Sequence, residues 1–199
     1  ARPFFAGDGT VSFSVSGEVS VDWWKENATP GTTDMHDAFE DAIASLPSAG
    51  GIVTGVPGST YVKDGTSTIT KSNLTIDMKN AVVKSDTSYW FAYFDGDSSS
   101  DGDWSSAVEN CFVRNVRIGD ANDSSNLLKA VRMGWAKDCG IENVVKKGET
   151  GTAFNLQFAR RSYIRNCWNY GADTSDGKIG FLIHITDVCL VDNCHIRDG

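Results

Sequence analysis

Three stretches of the chain carry the same pattern of apolar and polar positions. Residues 131–148 (VRMGWAKDCGIENVVKKG), 154–171 (FNLQFARRSYIRNCWNYG) and 181–198 (FLIHITDVCLVDNCHIRD) align without a gap. Val131, Phe154 and Phe181 share a column, as do Met133, Leu156 and Ile183, then Trp135, Phe158 and Ile185. This period of two predicts strands with one buried face, and it assigns Trp135 to the core side with Phe158 and Ile185. Further on come the columns Cys139/Ser162/Cys189, Ile141/Ile164/Val191 and Asn143/Asn166/Asn193, with a weaker copy at Cys111, Val113 and Asn115. The Met133 and Ile141 columns are expected to be buried throughout.

Successive asparagines lie 28, 23 and 27 residues apart. That is too short for a propeller blade of about 40 residues, and the leucine spacing of a leucine-rich repeat is missing. The period fits an all-β, right-handed parallel β-helix, a solenoid in which each coil stacks on the last and equivalent side chains form ladders. An asparagine at a bend satisfies local backbone groups and pairs with the amides above and below. Gly119, Gly148, Gly171 and Gly199 follow the asparagines where a tight turn needs positive φ.

Upstream, residues 33–46 read as an amphipathic helix with Met35, Ala38, Phe39, Ala42, Ile43 and Leu46 on one stripe, Thr33 as N-cap, and Asp34 and Asp37 in the first turn. It is placed as the short N-terminal capping α-helix that covers the open end of the first coil. Strands are predicted over 52–62, 72–76, 81–83 and 89–94, and Val11, Phe13 and Val15 alternate as a further strand. The expected organisation is an N-terminal arm or linker over 1–18, then helix and first coils over 19–199, with the solenoid continuing beyond.

Several of these residues together resemble a known group. The run Val19-Ser20-Val21-Asp22-Trp23-Trp24, then Thr32-Thr33-Asp34, Ala38-Phe39, Gly50-Gly51-Ile52-Val53, Val56-Pro57-Gly58 with Thr60-Tyr61, and Ser72-Asn73-Leu74-Thr75-Ile76 is similar to the start of the pectate-lyase-like superfamily, above all phage tailspikes. Trp23-Trp24 departs from the small residues usual after the first Asp of that group. The resemblance implies a homotrimer in a phage tail virion, acting with other tail proteins at the host surface. There it would recognise a bacterial surface polysaccharide. The same architecture serves secreted polysaccharide lyases, glycoside hydrolases and purely structural virion components, so these stay open as alternatives, and whether the chain is a depolymerase is undecided.

Charge and composition narrow this further. The 199 residues carry 18 basic and 26 acidic side chains, a net charge of −8. An acidic balance argues against nucleic acid, whose phosphates call for a basic excess. No run approaches the ~20 apolar residues of a membrane span, so no membrane insertion is expected. Five cysteines lack zinc-site spacing and are expected to be reduced.

Glycan cleavage requires a carboxylate pair on an outer face. Asp173, Asp176 and Glu149 are the catalytic candidates, set against solvated loop carboxylates. Glycan-binding candidates are His184 and Gln157, which share an outward column with Gly134, and Trp168, which lies just past the asparagine corner. Asp95, Asp97, Asp101 and Asp103 alternate as Ca²⁺ ligands would, but the bidentate Glu of an EF-hand is missing; an acidic loop without metal or other cofactor is the favoured reading. Arg114, Glu142, Arg165 and Asp192 alternate in sign and predict an electrostatic ladder.

Overall fold

The structure is a computed structural model that describes residues 4–5, 10–96, 104–119, 127–148, 152–170 and 180–197. Among the described residues, sixteen strands and one α-helix follow one another. The strands are β1 (Glu18–Ser20), β2 (Gly51–Thr54), β3 (Thr60–Val62), β4 (Thr68–Ile69), β5 (Leu74–Lys84), β6 (Trp90–Asp95), β7 (Val108–Glu109) and β8 (Phe112–Ile118). They continue with β9 (Lys129–Lys137), β10 (Gly140–Lys147), β11 (Phe154–Arg160), β12 (Tyr163–Arg165), β13 (Trp168–Tyr170), β14 (Phe181–Asp187), β15 (Leu190–Asp192) and β16 (His195–Arg197). Helix α1 spans His36–Ser45.

The strands form two sheets, and every pairing is parallel. Sheet A runs β1-β2-β5-β8-β10-β12-β15, with β3 beside β5 and with β13 and β16 continuing from β10; sheet B runs β4-β6-β9-β11-β14, with β7 beside β9. From β4 onward the chain alternates between the sheets, which is why sequence neighbours are not sheet neighbours. The repeat alignment is the observed register: Leu156 faces Met133 and Ile183 in sheet B, and Ile164 faces Ile141 and Val191 in sheet A.

Inward residues of both sheets meet in one apolar core. Met133, Leu156, Ile141 and Ile164 are fully buried, each worth about 1.5–3 kcal/mol of burial. Ile183 and Val191, expected to match them, are 38% and 44% exposed, because among the described residues nothing stacks beyond β14 and β15. All five cysteines are free thiols, three of them buried.

Asn115, Asn143, Asn166 and Asn193 all take left-handed φ of 48–54° and form a continuous amide ladder. Nδ2 of Asn143, Asn166 and Asn193 donates to Oδ1 of the preceding asparagine at 3.2, 3.2 and 2.8 Å, and Asn115 donates to Asp77 at 3.1 Å. Gly119 and Gly148 have φ of 82° and 91°, as the turn reading required, while Gly171 and Gly199 lie outside the described residues. Of the expected charge ladder, Arg165–Asp192 pairs at 3.5 Å, and Arg114 pairs with Asp77 one coil earlier at 2.8 Å, while among the described residues no ion pair joins Glu142 to either arginine.

Three local expectations are corrected. Helix α1 starts at His36, not after Thr33, because Asp34 Oδ1 accepts from the amides of His36 and Asp64 and holds the chain in a turn. Residues 10–17 form no strand: Phe13 instead ties to the helix through its amide to Ser45 O at 2.8 Å and packs against Phe5 and Trp23, leaving Val15 exposed. Trp135 is buried but outside the main apolar core, as its backbone explains below.

Candidate functional site

The outward face of sheet B is built from two columns of the repeat. One is Tyr93, Arg132, Asn155 and Leu182; the next is Asp95, Gly134, Gln157 and His184. Residues of the first column stand between two inward positions of their strands, and those of the second directly follow the inward Phe94, Met133, Leu156 and Ile183, so the apolar columns aim these side chains away from the core.

Arg132 is the hub. Its guanidinium lies 4.6 Å over the Tyr93 ring, and Nη2 donates to Gln157 Oε1 at 2.9 Å. Its Nε is buried and has no hydrogen-bond partner among the described residues, and the same holds for Oδ1 of the adjacent, 5%-exposed Asn155. An orphaned buried donor and acceptor side by side cost free energy that a hydroxyl-bearing ligand or water recovers. Tyr93 donates to Asp95; burial first, then the Asp95 carboxylate, push its hydroxyl pKa up. At Gly134 the column is notched, since an added Cβ would meet Asp95 Oδ1 at 3.1 Å.

One edge of this face is an aromatic rib. Trp104 meets Trp135 at 5.7 Å, Trp135 stacks on Phe158 at 4.8 Å with planes 12° apart, and Phe158 meets His184 edge-on at 6.2 Å. Trp135 and Phe158 have φ of 46° and 51°, so the strand turns there, the inward alternation skips them, and Ala136 and Ala159 take the core positions. Bulky residues in the left-handed region are strained, and such strain gathers at functional positions. Arg160 lies 5.7 Å from the Trp104 ring centre and pairs with Asp187 at 2.9 Å.

His184 and Gln157 are thus register neighbours on this face, with Asp95 at the head of their column. Trp168 is elsewhere, on the outward side of sheet A, stacked on His195 at 5.9 Å. Asp173, Asp176, Glu149, Asp97, Asp101 and Asp103 lie outside the described residues. Among the described residues no three His, Cys, Asp or Glu side chains assemble a metal site. Arg132 and Asn155 were missed although they fill the polar slot between apolar columns of aligned copies; Tyr93 precedes those copies and gave no signal.

No protein-family model and no curated protein sequence matches the chain. Among solved structures it is similar to a protein of Geobacillus virus E2, ORF18, at a TM-score of 0.71 and 19% identity over 92% of this chain. The chain spans 38% of the length of that viral protein, and the likeness is one of fold. Two further structures align at lower scores: a putative glycosyl hydrolase from Parabacteroides merdae (TM-score 0.48, 13% identity, 90% of this chain and 95% of that one) and an iota-carrageenase complexed to iota-carrageenan fragments (0.47, 18%, 94% and 42%).

Proposed function

We propose that this chain is a segment of a right-handed parallel β-helix in a phage tailspike or related receptor-binding virion protein. It works as a homotrimer with other tail proteins, outside the cell, and recognises a bacterial surface polysaccharide on the outer face of sheet B. The observation that carries this reading is the Arg132–Asn155 pair, which offers a buried, unpartnered donor and acceptor on a polar strip edged by aromatic rings, which we read as the binding groove. Saccharides present hydroxyls and apolar ring faces together, and this groove answers both. The alternating two-sheet topology, the asparagine ladder and the fold shared with a viral protein support the architecture.

The test is binding of the full-length protein to capsule and lipopolysaccharide preparations from a bacterial panel, with fragment release measured in parallel. Arg132→Met is expected to lower affinity for the recognised glycan about tenfold or more, since it removes charged hydrogen bonds worth ~1.5–3 kcal/mol. Unchanged binding in the folded variant overturns the groove. Release of fragments would move the reading from adhesion to cleavage, with Asp95 the first carboxylate to substitute.

A further inference from the structure

A second outward surface has a different chemistry. Beyond the asparagine corner, sheet A consists of β3, the second halves of β5, β8 and β10, and β13 and β16. Val82, Arg117, Val145, Trp168 and His195 stand in one register column there, and Lys147, Tyr170 and Arg197 in another. In a chain of net charge −8, no Asp or Glu occupies an outward position of these strands among the described residues. The aromatic pair Trp168 and Tyr170 has basic side chains beside it: Lys147 Nζ lies 5.9 Å from the Tyr170 ring centre, and the His195 ring stacks on Trp168 at 5.9 Å with planes 13° apart. Arg117, His195 and Arg197 are exposed.

We infer that this face binds a linear anionic polysaccharide, its carboxylate or sulfate groups held by Arg117, Lys147 and Arg197 and its ring faces by Trp168 and Tyr170. Successive strands place equivalent side chains ~4.8 Å apart, so cations and rings are laid out along two parallel columns, an extended array that suits the repeating charges and rings of such a polymer. Cations beside aromatic rings stay partly desolvated, which strengthens their hold on an anion. A point ligand would need convergent groups; these are spread along two parallel columns. The inference shares with the sheet B reading the premise of a polysaccharide partner and nothing of its groove.

The experiment titrates the full-length protein with dextran sulfate, polygalacturonate, unsulfated dextran and a single-stranded oligonucleotide of matched charge. The expected result is binding to one or both acidic polysaccharides, weakened by salt, and no binding to dextran. Arg117→Gln/Arg197→Gln should lower that affinity at least tenfold and Trp168→Ala at least threefold, with circular dichroism unchanged. Lys25→Gln/Lys79→Gln, which removes two charges outside the face, should leave it within twofold. Arg132→Met is read against the capsule and lipopolysaccharide panel and Arg117→Gln/Arg197→Gln against the acidic polymers, so failure of the groove and failure of this face read out separately. No acidic-polysaccharide binding, equal loss in the Lys25/Lys79 control, or oligonucleotide binding as tight as the polysaccharide overturns the inference. So does dissociation of a wild-type oligomer in the Arg117/Arg197 variant with polysaccharide affinity intact, which would make the face a contact between copies.

Discussion

Trp135 and Phe158 stack face to face, 4.8 Å apart and 12° from parallel, from two backbone positions that both lie in the left-handed region. Asparagine holds most of the other such φ values, as at Asn73, Asn110, Asn143 and Asn166, with Lys79, Asp138, Arg161 and Val188 at the remaining non-glycine positions described. The aromatic corner therefore trades local strain for a rib along the sheet B face.

Phe158→Asn separates those contributions. Relief of ~1–3 kcal/mol of backbone strain should offset much of the lost stacking, worth ~0.5–1.5 kcal/mol, together with the lost burial. Urea unfolding is expected to shift by no more than about 1–2 kcal/mol, while affinity for the glycan recognised by sheet B falls. A large loss of stability with binding retained would make the rib a packing device.

The asparagine ladder predicts an ordering of substitutions. Asn143→Ala loses the amide bonds to Asn115 and Asn166 and puts a Cβ without local compensation at φ of 54°. Asn143→Gly loses the same bonds but tolerates that φ. Alanine should cost about 2 kcal/mol and glycine about 1 kcal/mol less, read as urea midpoints at constant m.

Lys146 and Lys63 are buried in this fold. Lys146 Nζ donates to the carbonyls of Lys147 and Gly148, Lys63 Nζ to that of Gly65, and burial lowers each pKa to about 7. Between about pH 7 and the ordinary lysine value near 10.5 the unfolded chain binds more protons than the folded one. Stability from these groups therefore rises with pH across that window, by up to about 1.4 kcal/mol per pH unit for each lysine. Below pH 7 both states are charged and the contribution is flat. Lys146→Met should remove its share of the slope between pH 7 and 10 in thermal melts. An unaltered slope would show that Lys146 does not titrate there.

The two corner thiols should react unequally. A hydrogen bond from Cys167 lowers the Cys194 pKa to about 7, whereas burial pushes Cys167 far up. Brief iodoacetamide treatment at pH 7.5 is expected to modify Cys194 ahead of Cys167, Cys139 and Cys111, as peptide mass mapping would show. Prior labelling of Cys167 contradicts this arrangement.

Leu156 and Ile183 share a column but not an environment. Leu156→Asp buries an unpaired carboxylate and should abolish soluble expression, while Ile183→Asp, at a position 38% exposed, should leave soluble protein. Equal loss in both would indicate that β14 is covered in the assembled protein.

Periodicity alone determined the columns, their register and the asparagine corner, because parallel in-register stacking puts chemically equivalent residues on top of one another. It misplaced Trp135, since a period of two assumes an unbroken strand and the left-handed bend at φ of 46° is set by packing between neighbouring copies. It placed the helix start too early for a like reason: Asp34 is bound to Asp64, thirty residues away. The candidate groove was legible in part. Gln157 and His184 lie in aligned copies, but Tyr93 and Asp95 reach Arg132 and Gly134 through sheet pairing that the alignment of later copies does not contain. Which polar residues end up buried without partners, as Arg132 Nε and Asn155 Oδ1 do, depends on side chains from three strands closing around them, and only the tertiary structure decides that.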